Sequence, residues 1–258
     1  MPAIDYIHTT VDSSTTSTST SFAEVAETTA LVDGKTYYII CHALCGGSDA
    51  NKVFEWQLVD RTNSDAVLTD STLIREVGHA SYTQPYCFIG KITAGSDGGG
   101  IEFQQKAPSG ETVRTEYLSL LLLDLDNLRK DDFFFATDST TTAHTTSYAD
   151  RVSKTLAGSK SNDTWLVFGW VATATDNLAK TADAQMVFTE GGSDTAGPII
   201  SYEGEDFTET LGWWFCRPYT ITTSGSVSWK IQTKDSDSHA NQNDHLGSTL
   251  FGLKMGAF

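Results

Sequence analysis

Short segments of the first half of this 258-residue chain recur, in the same order, in its second half. Asp5-Tyr6-Ile7-His8-Thr9-Thr10 is echoed by Asp132-Phe133-Phe134-Phe135-Ala136-Thr137, and a Ser/Thr-rich passage follows each. Thr36-Tyr37-Tyr38-Ile39-Ile40 is matched by Thr164-Trp165-Leu166-Val167-Phe168, and the alternating Val53–Val59 by 184–189. Tyr86-Cys87 lines up with Phe215-Cys216, and Ile101, Phe103 and Gln105 with Val227, Trp229 and Ile231. The apolar run Leu120–Leu125 is paired with Leu250–Met255, which closes the series. The spacing stays at roughly 126 to 130 residues throughout, a regularity that chance likeness of short strands does not maintain. The chain therefore divides into two similar domains, 1–129 and 130–258.

Each half supplies short apolar or alternating runs bounded by turn signals such as Asp33-Gly34, Gly46-Gly47 and Ser224-Gly225. No stretch sustains a helical period, so the expected fold is all-β: two tandem antiparallel β-sandwiches of jelly-roll type, arising from an internal duplication. Tyr117–Asp126 carries the strongest apolar run and could be a short buried helix on periodicity alone. Its recurrence makes it the last core strand of its domain. Parity then sends Leu118, Leu120 and Leu122 to one side and Leu121, Leu123 and Leu125 to the other, so both sides need cover. The Ser/Thr tracts, Thr9–Ser21 and Thr137–Ser147, read as linkers by composition, but their repetition makes them extended edge segments of the domains.

The formal charge of −16 argues against a nucleic-acid partner, since phosphate binding needs clustered Lys and Arg. Four cysteines are too few for a disulfide scaffold at this length. Cys41 and Cys45 would share one side of a strand and are expected to be buried thiols. No apolar run approaches a membrane span, and the N-terminus carries no secretory signal, so folding in a cytoplasm is expected.

Catalytic chemistry finds no support in the spacing. The six histidines form no metalloprotease motif and no nucleophile–base arrangement, and neither a phosphate loop nor a dinucleotide fingerprint is present, so neither an enzyme nor a cofactor is expected. The densest polar stretch, Lys234–His245, sets oxygen ligands at Asp235, Asp237 and Asn241 but lacks the Gly and terminal Glu of a calcium loop, leaving a solvated loop as the better reading and no metal expected. Five of the six tryptophans lie in the second half. Trp165 and Trp229 fall in core strands, whereas adjacent Trp213 and Trp214 must face opposite ways if extended. The candidate interaction surface is therefore Trp213, Trp214, Asp235, Asp237 and His239.

The recurrent order of an aromatic-aliphatic strand such as Tyr37-Tyr38-Ile39-Ile40, an alternating strand, Lys91-Ile92-Thr93-Ala94-Gly95 and a final Leu123-Asp124-Leu125-Asp126 resembles tailed-bacteriophage virion proteins. The second half departs from that ending, with Leu253-Lys254-Met255. The resemblance implies a jelly-roll structural protein of the virion, a capsid decoration or cement protein that binds the outside of a phage head and bridges capsid subunits. Its partners would be the major capsid protein or other virion proteins, and it would be a homo-oligomer, a trimer before other states. The alternative is a tail, collar or receptor-binding component whose second domain binds carbohydrate.

Overall fold

In the computed structural model, the residues described are 5–49, 52–76, 83–175, 181–203, 210–235 and 243–255. Among them there are strands and turns but no helix. The chain separates into two compact units, one formed by Pro2–Asn127 and the other by Leu128–Phe207 with Trp213–Phe258.

The N-terminal unit contains β1 (Asp5–Val11), β2 (Thr15–Ser17), β3 (Ala23–Glu27), β4 (Thr36–Gly47), β5 (Val53–Asp60), β6 (Ala66–Val67), β7 (Leu73–Glu76), β8 (Thr83–Thr93), β9 (Ile101–Lys106) and β10 (Val113–Asp124). One sheet runs β1-β10-β4-β8, with β2 also on β10; the other runs β3-β9-β5-β6, with β7 also on β5. The C-terminal unit contains β11 (Phe133–Asp138), β12 (Thr142–Ala143), β13 (Ala149–Ser159), β14 (Thr164–Thr175), β15 (Thr181–Glu190), β16 (Ser193–Glu203), β17 (Thr210–Thr220), β18 (Gly225–Asp235) and β19 (Asn243–Met255). Its sheets run β11-β19-β14-β17, with β12 on β19, and β13-β18-β15-β16. Leaving out the short β2 and β12 and counting β6 with β7 as one, each unit has eight strands, of which the first and last pair beside the third and sixth, and the second and seventh beside the fourth and fifth. That is the double Greek-key order of a jelly roll.

The leucine run is strand β10, paired on both sides: Leu122 lies opposite Ile7 of β1 and Ile39 of β4. Leu118, Leu120 and Leu122 point into the sandwich and are fully buried, as are Trp56, Phe54 and Phe103. Leu123, on the other parity, is buried as well. The strand ends at Asp124, whose Oδ1 accepts the Asp126 N–H at 3.0 Å, and Leu125 between them is buried. The Ser/Thr tracts are edge segments, as their recurrence implied: β1 and β2 lie along β10, and β11 and β12 along β19. Cys41 and Cys45 are both buried thiols on the inner side of β4.

Pair geometry defines the correspondence between units better than the apolar pattern does. Gln57 and Gln104 are joined by an amide hydrogen bond of 2.7 Å, and Gln185 and Gln232 by one of 2.8 Å. Lys106 binds Glu55 and lies over the Phe22 ring; Lys234 binds Asp183 and lies over Tyr148. These pairs shift the match of β9 with β18 by two residues from the one read off the sequence, so that Gln105 corresponds to Thr233. A two-residue slip leaves every side chain on its original face, so alternation alone cannot detect it.

Two further correspondences show compensated exchange. Lys35 binds Asp124 at 2.5 Å in the N-terminal unit, while at the equivalent place Asp163 binds Lys254 at 3.0 Å, the same bridge with its polarity reversed. Ile7 faces Leu122 in the first unit, whereas Phe134 faces Gly252 in the second. A β-carbon on Gly252 would lie 2.2 Å from the Phe134 ring, so the glycine is what admits the larger side chain. That ring stacks on Trp229 at 5.1 Å and meets Trp165 at 5.5 Å, so two of this unit's tryptophans belong to one aromatic core.

The side of each β1- or β11-containing sheet that faces away from its partner sheet carries adjacent rows rich in apolar residues. In the first unit one cross-strand row is His8, Leu121, Ile40 and Ile89, and the next is Tyr6, Leu123, Tyr38 and Lys91. In the second unit the rows are Phe133, Leu253 and Leu166, then Phe135, Phe251 and Phe168. Phe168 and Phe251 stack at 6.0 Å.

Candidate functional site

Along β17, Trp213, Phe215 and Tyr219 are buried while Trp214 is 41% exposed and Cys216 is exposed; the alternation breaks at Arg217, which has the parity of the buried residues and is exposed. The two tryptophans thus face opposite ways, as extended geometry requires. Trp214 keeps its place on the candidate surface. Trp213, 8% exposed, leaves it.

β16 ends one sheet and β17 ends the other, and residues of both line a cavity of about 220 Å³ at the side of the C-terminal sandwich. Met186, Pro198 and Ile200 give apolar walls; Trp214, Arg217 and Tyr219 line the β17 side. The guanidinium of Arg217 sits 5.3 Å over the Tyr219 ring. Burial pushes the Tyr219 phenol pKa up and Arg217 opposes that shift, yet the hydroxyl has no partner within hydrogen-bonding geometry. A β-carbon on Gly197 would approach the Met186 carbonyl oxygen to 2.9 Å and Arg217 Nη1 to 3.7 Å, so the glycine keeps this wall close to the strand behind it. Sequence reading missed the groove because its walls come from strands far apart in the chain; the exposed member of the Trp pair was the one available signal.

Asp235, expected on the same surface, is 1% exposed. It closes β18, where its N–H donates to the Thr145 carbonyl at 2.8 Å and its Oδ1 lies 3.7 Å from Nδ1 of His144. Burial at the strand end, where the Ser/Thr segment crosses it, removes Asp235 from any exposed surface. Asp237 and His239 lie outside the described residues, as does Asn241, so the calcium-loop spacing cannot be assembled from what is described. Among the described residues no group of three or more His, Cys, Asp or Glu side chains could hold a metal ion.

Around Asp235 lies a buried polar cluster that no motif announced. His245 is fully buried; its Nδ1–H donates to the Thr140 carbonyl at 3.1 Å, so in the neutral ring Nε2 accepts from the Ser248 hydroxyl at 3.1 Å. Arg151 donates from Nε to Thr233 Oγ1 at 2.6 Å and from Nη1 to Thr142 Oγ1 at 2.7 Å, fastening β12 to β18. His144 is fully buried, and neither ring nitrogen has a hydrogen-bond partner. Burial, with Arg151 and His245 adding to it, pushes its pKa down to about 3. These groups anchor the Ser/Thr segment. In the N-terminal unit that task falls to Gln105, which donates to the Thr15 carbonyl at 3.3 Å and accepts from Thr115 at 2.8 Å.

The arrangement defines a chain of two antiparallel jelly-roll units with a ligand-sized groove in the second. No protein-family model matches the sequence, and no curated protein matches it. Among solved structures, the chain is similar to the CBM22-1-CBM22-2 tandem domain of Paenibacillus barcinonensis Xyn10C, at 7% identity and a TM-score of 0.30, covering 96% of this chain and 93% of that one. It is also similar to the infectious bursal disease virus VP2 subviral particle, at 10% identity and a TM-score of 0.32, covering 98% and 74% respectively. A third is the STIV MCP, at 7% identity and a TM-score of 0.24, covering 97% and 96%.

Proposed function

We propose that this chain is a non-enzymatic structural protein of a virus particle, a decoration or cement protein on the outside of a tailed-phage head that bridges neighbouring capsid subunits. The observation that carries the reading is the composition of the outward sheet faces. A free-standing antiparallel sandwich carries polar side chains on its outer positions. Here those positions hold the half-buried Tyr38, Ile40 and Leu121 in one unit, and in the other the half-buried Phe135 and Phe168 beside a fully buried Phe251. Such faces are made to be covered, as the sheets of a protein coat are. In this role the protein acts as a homo-oligomer, trimeric before other states, with the major capsid protein as its partner. Particles lacking the protein are expected to lose resistance to heat and osmotic shock. Mutant particles as resistant as intact ones would dispose of cementing, and a label on the tail would dispose of head decoration.

A second reading has its own observation, the groove beside the exposed Trp214. In that reading the protein is a tail, collar or receptor-binding component and the C-terminal unit grips a glycan. A glycan array probed with the whole chain separates the two, because a cement protein needs no sugar.

A further inference from the structure

We infer that the groove between β16 and β17 takes an acidic sugar, a pyranose ring lying against Trp214 with its carboxylate on Arg217. The inference rests on the glycan reading of this groove and adds the charge of the ligand. The chain carries 33 acidic and 17 basic residues, yet the described residues lining this cavity include one charged side chain, Arg217, and no carboxylate. Arg217 is exposed, and among the described residues it makes no ion pair; its guanidinium lies over the Tyr219 ring. In a strongly acidic protein, a cation with no carboxylate partner beside a cavity selects for anions. A guanidinium presents a planar fork that matches a carboxylate in bidentate geometry.

The rest of the wall selects for a ring with an apolar face. Trp214 offers an indole at the rim, and the electron-rich face of an aromatic ring attracts the polarised C–H groups on one side of a pyranose. Pro198, Ile200 and Met186 supply apolar contact opposite. The volume, about 220 Å³, is below the roughly 300–1,000 Å³ of sites for drug-sized ligands, which suits one ring and not a long segment. Among the described residues of the N-terminal unit, the strands at the place of β16 are the short β6 and β7.

The test titrates the whole chain with two oligosaccharides that differ only in a terminal glucuronate or glucose, by saturation-transfer NMR and calorimetry. The glucuronate form is expected to bind at least tenfold more tightly, with an affinity that falls as salt is raised. Arg217→Gln should reduce it to the level of the neutral sugar, Arg217→Lys should restore part of the difference, and Trp214→Ala should abolish both, with circular dichroism confirming a native fold. Equal binding of the two sugars, or an Arg217→Gln variant that still discriminates, overturns the acidic assignment and leaves the glycan reading standing. Absence of any binding across a full array, or binding of a carboxylate-ended peptide in place of sugars, overturns both.

Discussion

Acidification should loosen the C-terminal unit through His144. The imidazole is fully buried without hydrogen bonds, and its pKa is lowered to about 3 by burial first and then by Arg151 and His245. Facing it from β18 is Asp235, from β19 His245 and from β13 Arg151, with Asp138 of β11 and Asp244 of β19 acting on those two. An unfolded histidine titrates near 6.5. The unfolded chain therefore takes the proton first, so this stability is present above about pH 6.5 and is lost as pH falls toward 3. Between pH 6.5 and 4.5 the loss is two decades of proton binding, or about 2 to 3 kcal/mol from this group. His245, also lowered by burial, acts in the same direction. Tryptophan fluorescence reports chiefly on this unit, which holds five of the six tryptophans. Urea midpoints measured at pH 7.0, 5.5 and 4.5 should fall in the wild type and fall less steeply in His144→Asn. Identical pH profiles for the two proteins would refute the reasoning. Should the variant not fold, an NMR titration of the wild-type ring decides the matter, since a His144 signal titrating near pH 6 would be equally fatal.

The reversed ion pairs make a second prediction: Asp163→Lys and Lys254→Asp should each destabilise the C-terminal unit, while the double exchange recovers the loss, with a coupling of about 0.5 to 1 kcal/mol for this partly exposed pair in a double-mutant cycle. Coupling indistinguishable from zero would mean that the bridge is incidental. Gly252→Leu should cost about 1 to 3 kcal/mol by overpacking against Phe134, and adding Phe134→Ile, which recreates the Leu122–Ile7 pair of the other unit, should return part of it in thermal melts. Of the four thiols, Cys216 is exposed, whereas Cys41 and Cys45 are buried with pKa values pushed well up by burial and Cys87 is pushed up to about 12. One equivalent of native protein should therefore react with a thiol reagent at pH 8 before denaturation releases the rest; rapid reaction of a second would contradict the burial.

The fold was largely legible because a strand's side chains alternate with a fixed period and because the second half repeats the pattern of the first. That was enough to make Leu118–Leu123 a strand and to place Leu118, Leu120 and Leu122 in a core. It also set Trp213 and Trp214 on opposite faces and turned two Ser/Thr tracts into edge strands. Each of these depends on neighbours in sequence. Strand register between the units was not legible, since a two-residue slip keeps the parity and only cross-strand pairs such as Gln57–Gln104 reveal it.

What the tertiary structure alone decided is which chemistry meets. Asp235 read as a loop carboxylate, and only the crossing of the Ser/Thr segment over the end of β18 buries it beside His144, a residue 91 positions earlier. The groove at Trp214 likewise needs β16 and β17, edges of different sheets, brought side by side. The departure of Lys254 from the Leu-Asp-Leu-Asp ending looked like divergence in the sequence and is a bridge with Asp163 in space. The sequence on its own determined alternation and order, which are local. Partners, burial and charge balance are properties of residues far apart in the chain, and those exist only once the sheets have closed.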